Sequence, residues 1–215
     1  MNQPNFLLEA CVQSIDEALS AQAKGADQVE YCAQLEVGGT TPSFAEIQEA
    51  REKVDIKIKM MIRPRGGDFV YTSQELEEME KAILFCKKIN IEGVVFGVLD
   101  AQGGLDIAAI GRLATLAQPM EVTIHRAIDD TPDILEALKM LKQIPGVHAV
   151  LSAGGAANTW EGRKTLQEMV KIAGDELVVI PGGKVTNENV NALHQIVGAK
   201  VYHGTKIVGA LINSQ

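Results

Sequence analysis

Short apolar, β-branched runs alternate with helical stretches of roughly 10 to 17 residues along the whole chain, and this alternation restricts the fold more than any other feature. The β-like runs number eight and fall near residues 5–12, 27–32, 56–63, 93–99, 120–126, 147–152, 177–181 and 200–203. Strands joined through a helix run parallel, and a parallel sheet must be covered on both faces. Eight such units, with the glycine pairs Gly66-Gly67, Gly154-Gly155 and Gly182-Gly183 in loops that follow strands, predict an α/β fold of the (β/α)8 TIM-barrel type rather than an open doubly wound sheet. No Pro/Ser-rich linker, charge block or low-complexity segment interrupts the series, so residues 1–215 read as a single barrel domain. Only twelve residues follow the last run, which predicts a short C-terminal helix or a partner subunit over that side.

Helix starts carry their own chemistry. Ser14, Ser43 and Thr72 each precede a glutamate by three residues (Glu17, Glu46 and Glu75), the spacing at which hydroxyl and carboxylate cap each other's backbone N–H. Gly25 suits a left-handed helix end.

A formal charge of −8 and a pI near 5.1 argue against wrapping nucleic acid or lying on an anionic membrane. The N-terminal residues lack a basic region followed by an apolar core, and no apolar run is long enough to span a bilayer, so a cytoplasmic protein is expected. Three cysteines, Cys11, Cys32 and Cys86, form no CxxC pair and are expected to be reduced.

Barrel strands alternate between a helix-facing side and a lumen-facing side, so parity sorts their residues. On the first run Phe6, Leu8, Ala10 and Val12 face the helices, leaving Leu7, Glu9 and Cys11 toward the lumen. Glu30 and Cys32 point inward on the second run, Met61, Arg63 and Arg65 on the third, Thr123 and His125 on the fifth, and Val201 and His203 on the eighth. The polar inward residues gather at the C-terminal strand ends, where barrel active sites form. Buried Glu9 and Glu30 require cationic or donor partners, for which Arg63, Arg65 and His125 are the candidates. Lys57 and Lys59 share the inward parity but sit at the start of their strand, where solvated rim lysines are expected.

Two further patterns point to ligands. Arg63, Arg65, Arg126, Lys184 and Lys206 lie at or beyond strand ends in an acidic chain, near the glycine loops Ser152 to Ala157 and Pro181 to Val185. Backbone N–H groups of Gly154, Gly155, Gly182 and Gly183, with Ser152, Lys184 and His203, could then hold a small or phosphorylated anion. Glu9-Ala10-Cys11 and Glu30-Tyr31-Cys32 repeat one ExC triplet on neighbouring strands about 4.8 Å apart, a spacing at which two thiolates could bind a soft ion such as Cu(I). Cys86, His148 and His194 read as packing or incidental residues. No P-loop, HExxH or nucleophile elbow is present.

Taken together, MIRPRGGDFVY at Met61 to Tyr71, EACVQS at Glu9 to Ser14, GADQVEYC at Gly25 to Cys32, GGTTPS at Gly38 to Ser43, GVVFGVL at Gly93 to Leu99, TIHRAID at Thr123 to Asp129 and PGG at Pro181 to Gly183 resemble the copper homeostasis protein CutC family. The resemblance covers nearly the whole chain. It departs at Tyr31, at Ser152-Ala153 and at Lys184, which stands where the family has a third glycine. What the resemblance implies is a cytosolic barrel, often a homo-oligomer, serving copper tolerance or trafficking, with Cys11 and Cys32 as the Cu(I) ligands and no organic cofactor. The charged mouth keeps an alternative open: a barrel enzyme of unassigned reaction on a small anionic substrate, with Glu9, Glu30 and His125 in acid/base roles and Arg63, Arg65 and Lys184 holding the anion.

Overall fold

The computed structural model of the protein describes residues 5–212. Eight parallel strands form one sheet: β1 (Leu7–Val12), β2 (Gln28–Tyr31), β3 (Lys57–Met61), β4 (Gly93–Phe96), β5 (Glu121–Ile124), β6 (Val147–Ser152), β7 (Val178–Pro181) and β8 (Val201–Gly204). Their order is β7-β6-β5-β4-β3-β2-β1-β8, and a parallel bridge between Gly182 and His203 joins the two ends. That closes a barrel of the expected (β/α)8 type. Seven helices cover it: α1 (Ile15–Ala23), α2 (Phe44–Lys53), α3 (Ser73–Lys88), α4 (Ile107–Ala117), α5 (Ile134–Lys142), α6 (Thr159–Ala173) and α7 (Val190–Val197), each following the strand of the same number.

The capping chemistry acts as expected at α2 and α3, where Ser43 with Glu46 and Thr72 with Glu75 cap reciprocally. At α1 the Ser14 hydroxyl accepts from the Glu17 N–H, but the Glu17 carboxylate reaches one residue further back, to the N–H of Gln13 at 2.8 Å. Gly25 takes φ +86° beyond the last turn of α1, a conformation that favours glycine.

A short helix after β8 does not form among the described residues. The tail contains Gly209 at φ +88° and is tied down piecewise instead. Lys206 bridges to Thr186, the Lys24 ammonium donates to the Ala210 carbonyl, and the Ile212 N–H donates to Ser20 Oγ at 3.3 Å, fastening the tail to α1. Leu211 is buried there, doing part of the covering work of a helix.

Side-chain parity divides the interior in two. Ala10, Val12, Val29, Tyr31, Ile58, Met60, Ile62, Val122 and Ile124 point outward into one continuous core shared with the helices. Two small apolar clusters occupy the lumen: Cys11, Cys32, Met61 and Val95 in one, and Ala149, Leu151, Ile180 and Val201 in the other. Charged and polar groups fill the lumen between them. No helix among the described residues is long and apolar enough to cross a membrane.

Candidate functional site

Glu9, on β1, sits at the centre of the barrel with 1% of its surface exposed. The β1–β8 register sets it beside His203, whose Nδ1 lies 2.9 Å from Glu9 Oε1; Lys59 Nζ stands 3.1 Å from Oε2, and Gln28 Nε2 donates to Oε2 at 2.6 Å. Burial alone would raise this carboxyl, but Lys59 and then His203 outweigh it and hold it down at about 2. The partners differ from the Arg63, Arg65 and His125 expected. Lys59 is 3% exposed, so it is no solvated rim lysine: its stem crosses the lumen to Glu9. Its neighbour Lys57 is half-buried and pairs with Glu121 at the rim.

Above Glu9 lie the thiols. Cys11 Sγ is 3.5 Å and Cys32 Sγ 3.4 Å from the same oxygen, Glu30 Oε2, and His203 Nε2 is 3.7 Å from it. Ligand atoms of Cys11, Glu30 and Cys32 all fall within 4.8 Å of one another, as do those of Glu9, Glu30 and His203. Cys32 also reaches Cys11, and that hydrogen bond first, aided by His203, pulls the Cys11 thiol down to about 5 against the effect of burial. The same contact, with burial and Glu30, pushes the Cys32 thiol well above the ordinary range. The two shifts run in opposite directions, so Cys11 is the first of the pair to lose its proton. Burial pushes Glu30 up to about 8, while Glu30, Cys11 and Glu9 hold the His203 imidazolium well above its usual value although burial opposes them.

This sulfur, carboxylate and imidazole cluster forms one wall of a cavity of about 200 Å³ at the C-terminal mouth. Arg63, His125, Phe69, Met61 and Leu151 are among the other residues lining it. Arg63 is 4% exposed. Its Nη1 donates to the carbonyls of Val37 at 3.0 Å and Gly39 at 3.1 Å, and its Nη2 to that of Gly67 at 2.8 Å. Such close approach needs glycine: Gly38 and Gly39 lie at φ +91° and +84°, and a Cβ on Gly38 would come within 3.0 Å of Nη1. His125 Nδ1 accepts the Ala127 N–H at 3.2 Å, which places the ring proton on Nε2. Burial first, and then the Arg63 charge, lowers this imidazole to about 3, so it is neutral. Phe69 packs on both, its ring centroid 4.8 Å from Arg63 Cζ and 4.7 Å from the His125 ring.

The other anion-binding candidates are placed differently. Asp129 fills the loop at Ser152: its carboxylate accepts from Ser152 Oγ at 2.5 Å and from the N–H groups of Ala153 and Gly155 at 3.0 and 3.1 Å, while Gly154 N–H donates to Ser152 Oγ. Arg126 pairs with Asp129 at 2.8 Å. The cradle read from the glycines is thus occupied by the chain's own carboxylate. Gly182 keeps the β7–β8 seam tight, since a Cβ there would come within 2.5 Å of Leu151 and 3.2 Å of His203. Gly183, exposed Lys184, Arg126, Thr205 and Lys206 line a neighbouring cleft of about 340 Å³. Arg65 turns away from both cavities and binds Glu75, Asp68 and three loop carbonyls. Gln28, Phe69 and Asp129 are the functional neighbours that the sequence reading missed, whereas Lys59 is placed inward by parity but at the rim. Only Asp129 carried a signal, its i,i+3 spacing from Arg126. Cys86 is packed in the outer core as expected, its thiol pushed up to about 12 by burial.

Comparisons with known proteins bear on the family and the fold. A sequence model of the CutC family matches residues 6–208. The human copper homeostasis protein cutC homolog is 37% identical over 198 residues, which span 92% of this chain and 72% of that protein. A family protein CutC from Parabacteroides distasonis is 38% identical over 200 residues, spanning 92% of this chain and 81% of the relative. Among solved structures, the Streptococcus agalactiae CutC crystal structure superposes with a TM-score of 0.88 at 33% identity, covering 94% of this chain and 99% of that one. A 2-keto 3-deoxygluconate aldolase from Picrophilus torridus, at a TM-score of 0.63, 15% identity and coverage of 93% and 74%, shares the fold alone.

Proposed function

The chain belongs to the CutC family, and on that premise we propose that it serves copper homeostasis in the cytosol by binding one Cu(I) ion through Cys11 and Cys32. One observation carries the reading: two buried thiols and the Glu30 carboxylate bring their ligand atoms within 4.8 Å of one another. Soft Cu(I) selects sulfur over oxygen and nitrogen, so the thiolates are its ligands and Glu30 and His203 are their supports. Cys11 is already held toward the thiolate, and the Cys32 thiol donates to Glu30 Oε2 at 3.4 Å, so binding the metal would release the Cys32 proton. A homo-oligomer, with a second copy of this chain as partner, belongs to the same reading; exposed Phe44 and Leu84 offer apolar contact surface on the outer helices.

Anaerobic titration with Cu(I) against a competing chelator tests the ligands. The double variant Cys11→Ser, Cys32→Ser is expected to lose more than about 100-fold in affinity, above the effect of removing an outer partner. Binding as tight as that of the parent chain would show that these are not the ligands.

A further inference from the structure

The thiol cluster uses one wall of the mouth cavity; the facing wall is built for something that copper does not need. Arg63 carries five N–H donors, three of which are spent on carbonyls. No carboxylate pairs with it among the described residues, and its Nε is buried with no hydrogen-bond partner in the protein. The same is true of His125 Nε2, a donor in the tautomer set by Ala127, of the Thr123 hydroxyl and, on the thiol wall, of Glu30 Oε1, while the Tyr71 hydroxyl lies against the Arg63 guanidinium. A buried guanidinium with only neutral acceptors holds a positive charge that nothing opposes, at a free energy cost that an anion would remove.

The chemistry of that anion can be narrowed. Arg63 and His125 both line one cavity, and a pair of N–H donors suits the two oxygens of a carboxylate better than the three of a phosphate group. Soft metal ions are no match for a pair of hydrogen-bearing nitrogens. Beyond the thiol wall with Glu30 and His203, and Arg126 and Thr205 at its edge, the lining is apolar: Phe69, Met61, Leu35 and Leu151 border a space of about 200 Å³. Apolar walls with a few convergent polar groups are the make-up of a site for an organic molecule.

From this arrangement we infer that the cavity binds a small organic monocarboxylate, its carboxylate held by Arg63 and His125 and its carbon skeleton against Phe69 and Leu151. The site lies beside the copper ligands but does not depend on them, so each can fail without the other.

Propionate and benzoate are the probes, with propionamide, benzamide and inorganic phosphate as controls, titrated into the metal-free full chain and followed by the side-chain ¹H–¹⁵N signals of His125 and Arg63. Saturable shifts of both residues with at least one carboxylate, absent with its amide, are expected. Arg63→Gln should weaken binding about tenfold or more. Because that variant also loses three loop contacts, His125→Asn is the second arm: asparagine keeps an acceptor for the Ala127 N–H and removes the ring donor, and the same tenfold loss is expected. The titrations use the metal-free chain, so their outcome is separate from that of the copper titration. The inference is overturned if neither carboxylate shifts those signals, if the amides bind equally well, if phosphate binds more tightly than both carboxylates, or if His125→Asn leaves the affinity unchanged.

Discussion

The two walls of the mouth cavity solve the problem of buried polarity in opposite ways. On the wall of β1, β2 and β8, opposite charges meet, Lys59 with Glu9, Glu9 with His203 and His203 with Glu30, and both thiols donate hydrogen bonds to Glu30. On the wall of β3 and β5, Arg63 and His125 stand with like polarity, the cation depressing the imidazole, and polar atoms are left over. The first wall is closed by its own ion pairs and hydrogen bonds except at Glu30 Oε1, which has no partner in the protein. Completion of the second wall takes a group from outside. Stability of the apo chain should therefore depend on the first wall, and ligand-induced stabilisation on the second.

Lys59→Met gives the largest expected effect on this contrast. Methionine matches the stem of lysine but leaves Glu9 buried without one of its two cationic partners, a loss of about 3–5 kcal/mol. Denaturant unfolding of the metal-free protein measures it. Adding Glu9→Gln to Lys59→Met should restore part of the loss, because two neutral groups need no mutual compensation. A cost for Lys59→Met below about 1 kcal/mol would mean that the first wall is not held by its ion pairs.

Much of this contrast was legible in the chain, though unevenly. Period-2 alternation inside eight short runs placed Glu9, Cys11, Glu30, Cys32, Arg63, His125 and His203 on the lumen face, because parity survives any register. Which of them meet depends on the stagger of a closed barrel, and one sequence does not encode stagger visibly. Counting from the start of its strand puts Lys59 at the rim, yet β2–β3 pairing sets it level with Glu30. Pairing of β8 with β1 brings His203 against Glu9, a contact 194 residues apart in sequence. At Ser152 to Gly155 the glycines correctly signalled free N–H groups; that Asp129 fills them follows from the 3₁₀ turn Arg126–Asp130, which apolar periodicity does not reveal. Phe69 was invisible because the loop after β3 is shaped by Arg63 and Arg65 binding its carbonyls, not by any local pattern.

His125 allows the second wall to be read through pH. Its folded value, about 3, lies below the 6.5 of the unfolded chain, so between those values the unfolded chain binds the extra proton. Its contribution to stability is complete above 6.5 and is lost as pH falls toward 3. The thiol wall titrates across the same range with mixed sign, since Glu30 is raised and Cys11 lowered, so the parent curve alone does not isolate it. The difference between parent and His125→Asn does. On acidification below 6.5 the variant should gain on the parent by up to about 1.4 kcal/mol per pH unit. Parallel stability curves would show that His125 is as easily protonated folded as unfolded.

The smallest effect is expected where a charge resembles a site residue but serves the loop. Arg65 binds Glu75 and Asp68 in half-exposed pairs and stacks on Tyr71, with Cζ 5.3 Å from the ring centroid. Solvent screens such pairs, so Arg65→Ala should cost about 1 kcal/mol or less in denaturant unfolding. It removes a cation only two residues from Arg63 in sequence, and if charge near the mouth were enough to attract an anion, benzoate affinity would fall as far as in Arg63→Gln. Because Arg65 faces away from the cavity, the affinity should instead stay within about twofold of the parent. Equal losses from the two substitutions would dissolve the distinction between the walls, since a diffuse positive field would then explain the anion as well as a pair of aimed donors does.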